Sequence, residues 1–139
     1  MNPLVEISFS WALYFLPAYA GDTPPPPPLV ELKPHSFFVE SVCGGKECNV
    51  IGWYNDTGTI YLDNRLRSPF LEEILLHEIV HYLQHIRGDF DTYSCDDSIK
   101  REREAYYIQN RYRIEARMTW PKIFNATVRC AKPPQQETP

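Results

Sequence analysis

Apolar residues recur along this chain with two distinct rhythms. Leu71, Leu75, Ile79, Tyr82, Leu83 and Ile86 fall three and four apart, the period of one buried face of an α-helix. The helix this predicts is punctuated at both ends. Ser68 is placed to cap it, Pro69 sits at its first position, Glu72 and Glu73 meet the positive end of its dipole, and Gly88 supplies the stop. A second helix is expected from roughly Asp97 to Met118, a run with no internal glycine or proline, with Asp96 and Asp97 as caps. Upstream the rhythm shortens. Val50 to Asp63 reads as two β-rich runs around Asn55, Asp56, Thr57 and Gly58, a hairpin signal, and "HSFFVESV" (His35 to Val42) alternates loosely and predicts another strand. Beyond the second helix, "TWPKIFNATVRC" suggests a short strand or an irregular return. Strands followed by two helices make an α+β domain, with a short antiparallel sheet packed on the helices.

The two ends read differently. "ISFSWALYFL" (Ile7 to Leu16) is an apolar run of export-signal length, and Ala18-Tyr19-Ala20 is an A-x-A pattern that places cleavage before Gly21. Residues 1–20 are therefore read as a signal peptide, although Glu6 precedes the run and no Lys or Arg does. The alternative is an N-terminal arm packed on the domain. The run is too short for a comfortable membrane span, so no stable span is expected after processing. Pro24 to Pro28 hold an extended polyproline rod, and residues 21–34 are read as a spacer. Residues 35–131 then form the domain, and the polar, proline-rich 132–139 a disordered tail.

The four cysteines, Cys43, Cys48, Cys95 and Cys130, suit an exported protein with two disulfides. Of three possible connectivities, Cys43–Cys48 and Cys95–Cys130 are favoured: the first closes the "CGGKEC" turn and the second ties down the C-terminal segment. No C-x-x-C pair supports a cysteine zinc site. N-x-[ST] triplets at Asn55 and Asn125 matter only for a eukaryotic secreted protein. With 139 residues the chain is expected to be one domain, and its net charge of −4 argues against nucleic acid as a partner. Its positive charges gather between Lys100 and Arg117 but alternate with Glu102, Glu104 and Glu115, the pattern of a solvated helix face.

Chemistry concentrates at His77-Glu78-Ile79-Val80-His81, an H-E-x-x-H motif in the middle of the first predicted helix. Residues four apart lie on one face, so both imidazoles can reach one ion. Two neutral imidazoles suit Zn2+, and Glu78 beside the first can accept a proton from a metal-activated water. His85 lies about 12 Å further along the helix than His77, too far to share the ion. His35 is a weak candidate. On the second helix Glu102, Ala105, Tyr106 and Gln109 share a face, and small Ala105 allows close approach. Glu102 is thus the first choice for a third ligand and Glu104 the alternative. Gln84 lies on the histidine face and is placed to support His81.

"HEIVH" followed by Glu102-Arg103-Glu104-Ala105-Tyr106 resembles the gluzincin group of zincin metallopeptidases, and the chain is similar to small, largely uncharacterised bacterial HExxH domains. The match runs from about Thr59 to Arg111. In several of those families the first glutamate of an E-x-x-A-[DN] segment is the third zinc ligand, which supports Glu102. Tyr106 departs from that pattern, standing where Asp or Asn is usual, and it could donate to a developing oxyanion. The resemblance also implies a strand at the cleft edge, a place "TGTIYLD" (Thr57 to Asp63) fills, with its backbone open to a peptide. The expectation is an exported zinc metallopeptidase acting on a peptide or protein substrate, with His77, His81 and Glu102 on the metal, Glu78 as general base and Tyr106 as a further catalytic group. Its rivals are a non-catalytic, zinc-stabilised binding module of the cell envelope and a metal-free disulfide domain.

Overall fold

The elements follow in the order α1 (Asn2–Phe15), a 3-10 turn (Pro17–Tyr19), β1 (Leu29–Lys33), α2 (His35–Ser41), β2 (Gly52–Tyr54), β3 (Thr59–Asp63), α3 (Phe70–Arg87) and α4 (Cys95–Glu115). This computed structural model describes residues 2–118 and residue 130. The strand or return expected over residues 119–129, the tail and Asn125 lie outside the described residues. The α+β class expected from the pattern is the observed one.

The centre of the molecule is α3. It is buried nearly all round from Glu73 to Gln84, because the sheet, α4 and α1 each cover part of it. A helix apolar on more than one face needs such wrapping. Leu75, Ile79, Tyr82 and Leu83 are buried as the spacing predicts, and Ile74, Leu76 and Val80 join them. Ile86, also expected in the core, is 48% exposed, for it falls in the last turn before Gly88 swings the chain away. That exit needs a left-handed residue: Gly88 has φ 77°, and the amides of Gly88 and Asp89 both donate to the Gln84 carbonyl, at 2.9 and 3.0 Å. At the other end Pro69 is the N-cap and Ser68 caps nothing; its hydroxyl donates to the Glu72 carboxylate instead.

The sheet has the order β1-β3-β2. The predicted hairpin is present, with Gly52 opposite Leu62 and Tyr54 opposite Ile60. The sheet is mixed, however, and not wholly antiparallel: β1 pairs in parallel with β3 from Leu29–Thr59 to Lys33–Asp63. Leu29 to Lys33, read as spacer, are therefore a strand. The proline run leads into it along the domain surface, where the Pro26 carbonyl accepts from the Tyr82 hydroxyl at 2.5 Å. The strand expected at His35–Val42 is helix α2. Its apolar residues pack at helical spacing once Pro34 has ended β1, and Phe38 alone is fully buried.

α4 is capped by Ser94, whose hydroxyl accepts from the Asp97 amide at 3.1 Å. Asp96 and Asp97 lie one turn inside, and Asp97 holds the preceding loop by accepting from Thr92. The disulfides are Cys43–Cys48 and Cys95–Cys130, the favoured pairing. Two disulfides suggest an oxidising, extracellular environment. No helix of the described residues is long and apolar enough to cross a membrane. The run read as a signal forms α1, and Val5, Phe9 and Ala12 on it are buried in the same core as α3. Phe9 meets Tyr82 edge-on at 6.2 Å, and Trp11 meets Tyr112 at 6.1 Å.

Candidate metal centre

One turn of α3 presents His77 and His81 side by side, with ring centroids 4.9 Å apart. Fully buried Ala105 lets α4 approach that face, as its small size suggested. The approach carries Glu102 between the two rings. Its Oε2 lies 3.1 Å from His77 Nε2, and its Oε1 lies 3.0 Å from His81 Nε2. The ligand atoms of the three residues all fall within 4.8 Å of one another, and among the described residues only this group could hold a metal ion.

Behind the rings, two glutamines decide which nitrogen faces the site. Gln84 gives its amide NH2 to the Arg101 carbonyl and to Glu104 Oε1, both at 3.0 Å, so its carbonyl oxygen points at His81 Nδ1, 3.0 Å away. Gln109 gives its NH2 to Glu73 Oε1 at 2.9 Å, leaving its oxygen 2.8 Å from His77 Nδ1. Each Nδ1 must then carry a proton and donate it, so Nε2 is the nitrogen each ring turns toward Glu102, where it can carry a proton or, once that proton is displaced, ligate an ion. Both glutamines are 1% exposed, where an unpaired amide would be costly. Arg113 in turn pairs with the second oxygen of Glu73. A ligand imidazole that donates its other nitrogen to a fixed acceptor is oriented and made more basic. Two such imidazoles and a carboxylate suit a borderline divalent cation.

Electrostatics agree with this geometry. Burial works to lower the His81 pKa, but the hydrogen bond that His81 donates to Glu102 and the charges of Glu78 and Glu102 outweigh it and raise the value to about 9. Burial would likewise raise that of Glu102, yet hydrogen bonds to His77 and His81 hold it well below the usual carboxylate range. The centre therefore attracts positive charge, proton or cation, into a buried position. No protein-family model matches this chain, and neither the curated proteins nor the solved structures yield a match.

The pair opens onto a cleft of about 560 Å³ between β2 and the two helices. Glu78 lines it and is 8% exposed. Gly52 makes room: a Cβ there would stand 2.6 Å from Ile74 Cγ2 and 3.4 Å from Glu78 Oε2, so β2 can run this close only without a side chain. The cleft edge is thus β2, and not the Thr57–Asp63 strand proposed for it, because β3 is paired on both sides. Tyr106 also lines the cleft, with its ring edge-on to His77 at 4.8 Å. Burial, then the charges of Glu102 and Glu78, push its phenol pKa up, so it stays a donor.

The other candidates fall away from this group. Glu104 lies behind Gln84 and serves it as acceptor. His85 Nδ1 meets the Tyr54 hydroxyl at 2.7 Å and ties β2 to α3. His35 is engaged by Asp63 and Glu47 at the far side of the sheet. Sequence reasoning passed over Glu73, Gln109 as a histidine partner, and Arg113. Their signal was present as helical spacing: Glu73 is one turn before His77, and Gln109 and Arg113 continue the Glu102 stripe along α4.

Proposed function

We propose that this protein is an exported zinc-dependent hydrolase, and specifically a metallopeptidase. The observation that carries the reading is the pair of imidazoles locked with Nε2 toward Glu102 while Glu78 stands in the same cleft. His77, His81 and Glu102 would hold a zinc ion, whose chemistry there would be Lewis acidity. Glu78 accepts the proton of the attacking water and then delivers it to the leaving nitrogen. Tyr106, kept protonated, donates its hydroxyl hydrogen to the oxygen that gains charge. β2 has no strand on its outer side among the described residues, so its backbone suits an extended peptide laid along the cleft.

Glu78→Gln tests the assignment. The zinc content should remain that of the wild type, while hydrolysis of an unfolded protein substrate falls by at least about a hundredfold. Equal activity in the two proteins would remove Glu78 as the base. A wild type that binds zinc and cleaves nothing would favour the binding-module reading.

A further inference from the structure

The hydrogen bonds behind His81 do not end at Gln84. Glu104 Oε1, which accepts from the Gln84 amide at 3.0 Å, also accepts from the Tyr19 hydroxyl at 2.5 Å. Tyr19 ends the 3-10 turn after α1 and is 9% exposed, with the Arg87 guanidinium 5.4 Å over its ring. Burial, then the Glu104 hydrogen bond and charge, push its phenol pKa far up, so its proton stays in place and the hydroxyl is a permanent donor. A residue 85 positions away in sequence thus reaches the carboxylate that fixes the amide beside a candidate ligand.

We propose that Tyr19 is a positioning residue of the metal centre, acting on His81 through Glu104 and Gln84, so that the N-terminal segment is part of the site's scaffold. The proposal rests on the metal-centre reading above and extends it outward by two side chains. Its physical content is the direction of one amide. While Glu104 is held by Tyr19, the Gln84 NH2 has two acceptors and its oxygen faces His81 Nδ1. Without the phenol, Glu104 can turn toward water and the amide loses half of what orients it. A reversed amide would present NH2 to Nδ1 and move the imidazole proton to Nε2, the atom needed for the ion. Cleavage between Ala20 and Gly21, where the A-x-A pattern points, would remove this hydroxyl together with the α1 residues buried against α3. Loading with metal and processing of the chain would then be linked.

The test measures Zn2+ affinity by chelator competition on the full chain for wild type, Tyr19→Phe, Glu104→Ala and the double variant. Tyr82→Phe serves as control, because it deletes a partly buried phenol bond to Pro26 that leads to no ligand. Tyr19→Phe should weaken zinc binding about tenfold, Glu104→Ala at least as much, and the double variant no more than Glu104→Ala alone. The control should bind as the wild type does. In Co2+-loaded protein the visible spectrum should shift with Tyr19→Phe and not with Tyr82→Phe. The proposal is overturned if Tyr19→Phe binds zinc as tightly as wild type, if the two penalties multiply, or if the metal-free melting temperature falls with affinity unchanged. A wild type that binds no zinc would instead overturn the metal centre itself.

Discussion

Among the described residues two places bring histidine and carboxylates within about 3 Å, and only one of them groups three ligand atoms that could hold a metal ion. At the far end of β3, His35 uses both ring nitrogens on carboxylates, Nδ1 on Asp63 at 3.0 Å and Nε2 on Glu47 at 2.8 Å. Asp63 is already satisfied by Arg65, whose Nε and Nη2 reach it at 2.9 and 2.7 Å. Both Asp63 oxygens accept from donors, and the His35 pKa is raised first by the Glu47 hydrogen bond, a contact at an open edge. At α3 and α4 the outer nitrogens are spent on neutral glutamine oxygens, so the inner ones converge on Glu102. The lesson is that a His-carboxylate contact does not make a metal site. The partner of the second ring nitrogen decides.

The sharpest way to break this comparison is to delete one histidine from each place. His81→Ala should lower zinc affinity by more than about a hundredfold, because two ligands cannot close the site. His35→Ala should leave it at the wild-type value in the same chelator competition. A smaller effect is expected one layer out. Gln109→Leu keeps the volume but removes the acceptor for His77 Nδ1, and zinc should bind about 10- to 100-fold more weakly. Glu47→Gln, the matching change at the other cluster, should not alter it.

The salt-linked cluster should answer in stability instead. Asp63→Asn weakens a buried hydrogen-bonded pair and should cost about 2 kcal/mol in denaturant unfolding, with zinc content unchanged. The pH dependence follows from the same group. The hydrogen bond from Arg65 is the main cause that holds Asp63 at a pKa of about 2, against an ordinary 3.8. Its folded value lies below its unfolded one, so its contribution is complete above about pH 4 and is lost as pH falls toward 2. Asp63→Asn should flatten that part of the stability curve, the smallest effect in the series.

The parts legible in the sequence are those with local signals. α3 carries both a stop at Gly88 and the motif, the hairpin carries Asp56 at φ 65° and Gly58 at φ 87°, and the disulfides are the pairing favoured among three. Glu102 was readable because Ala105 marked the close face. What escaped depends on distant partners. β1 lies behind a proline run and finds its pairing with β3 thirty residues later, which no local pattern announces. α2 has only seven residues, too few for its period to separate from alternation. The segment read as a leader had a packed arm as its alternative, and which residues that arm would bury, Val5, Phe9 and Ala12 against α3, is given by the fold alone. The outer layer of the metal centre is written in glutamines, whose side chains acquire direction only from what surrounds them.

X-ray absorption at the metal edge of the purified, metal-loaded protein tests the central claim most directly. The account predicts one zinc per chain, bound by two imidazole nitrogens and further oxygen at about 2.0–2.2 Å, with the imidazole signal halved in any metal that His77→Ala retains. Sulfur in the coordination sphere, or an unchanged spectrum and stoichiometry in His77→Ala, would contradict it.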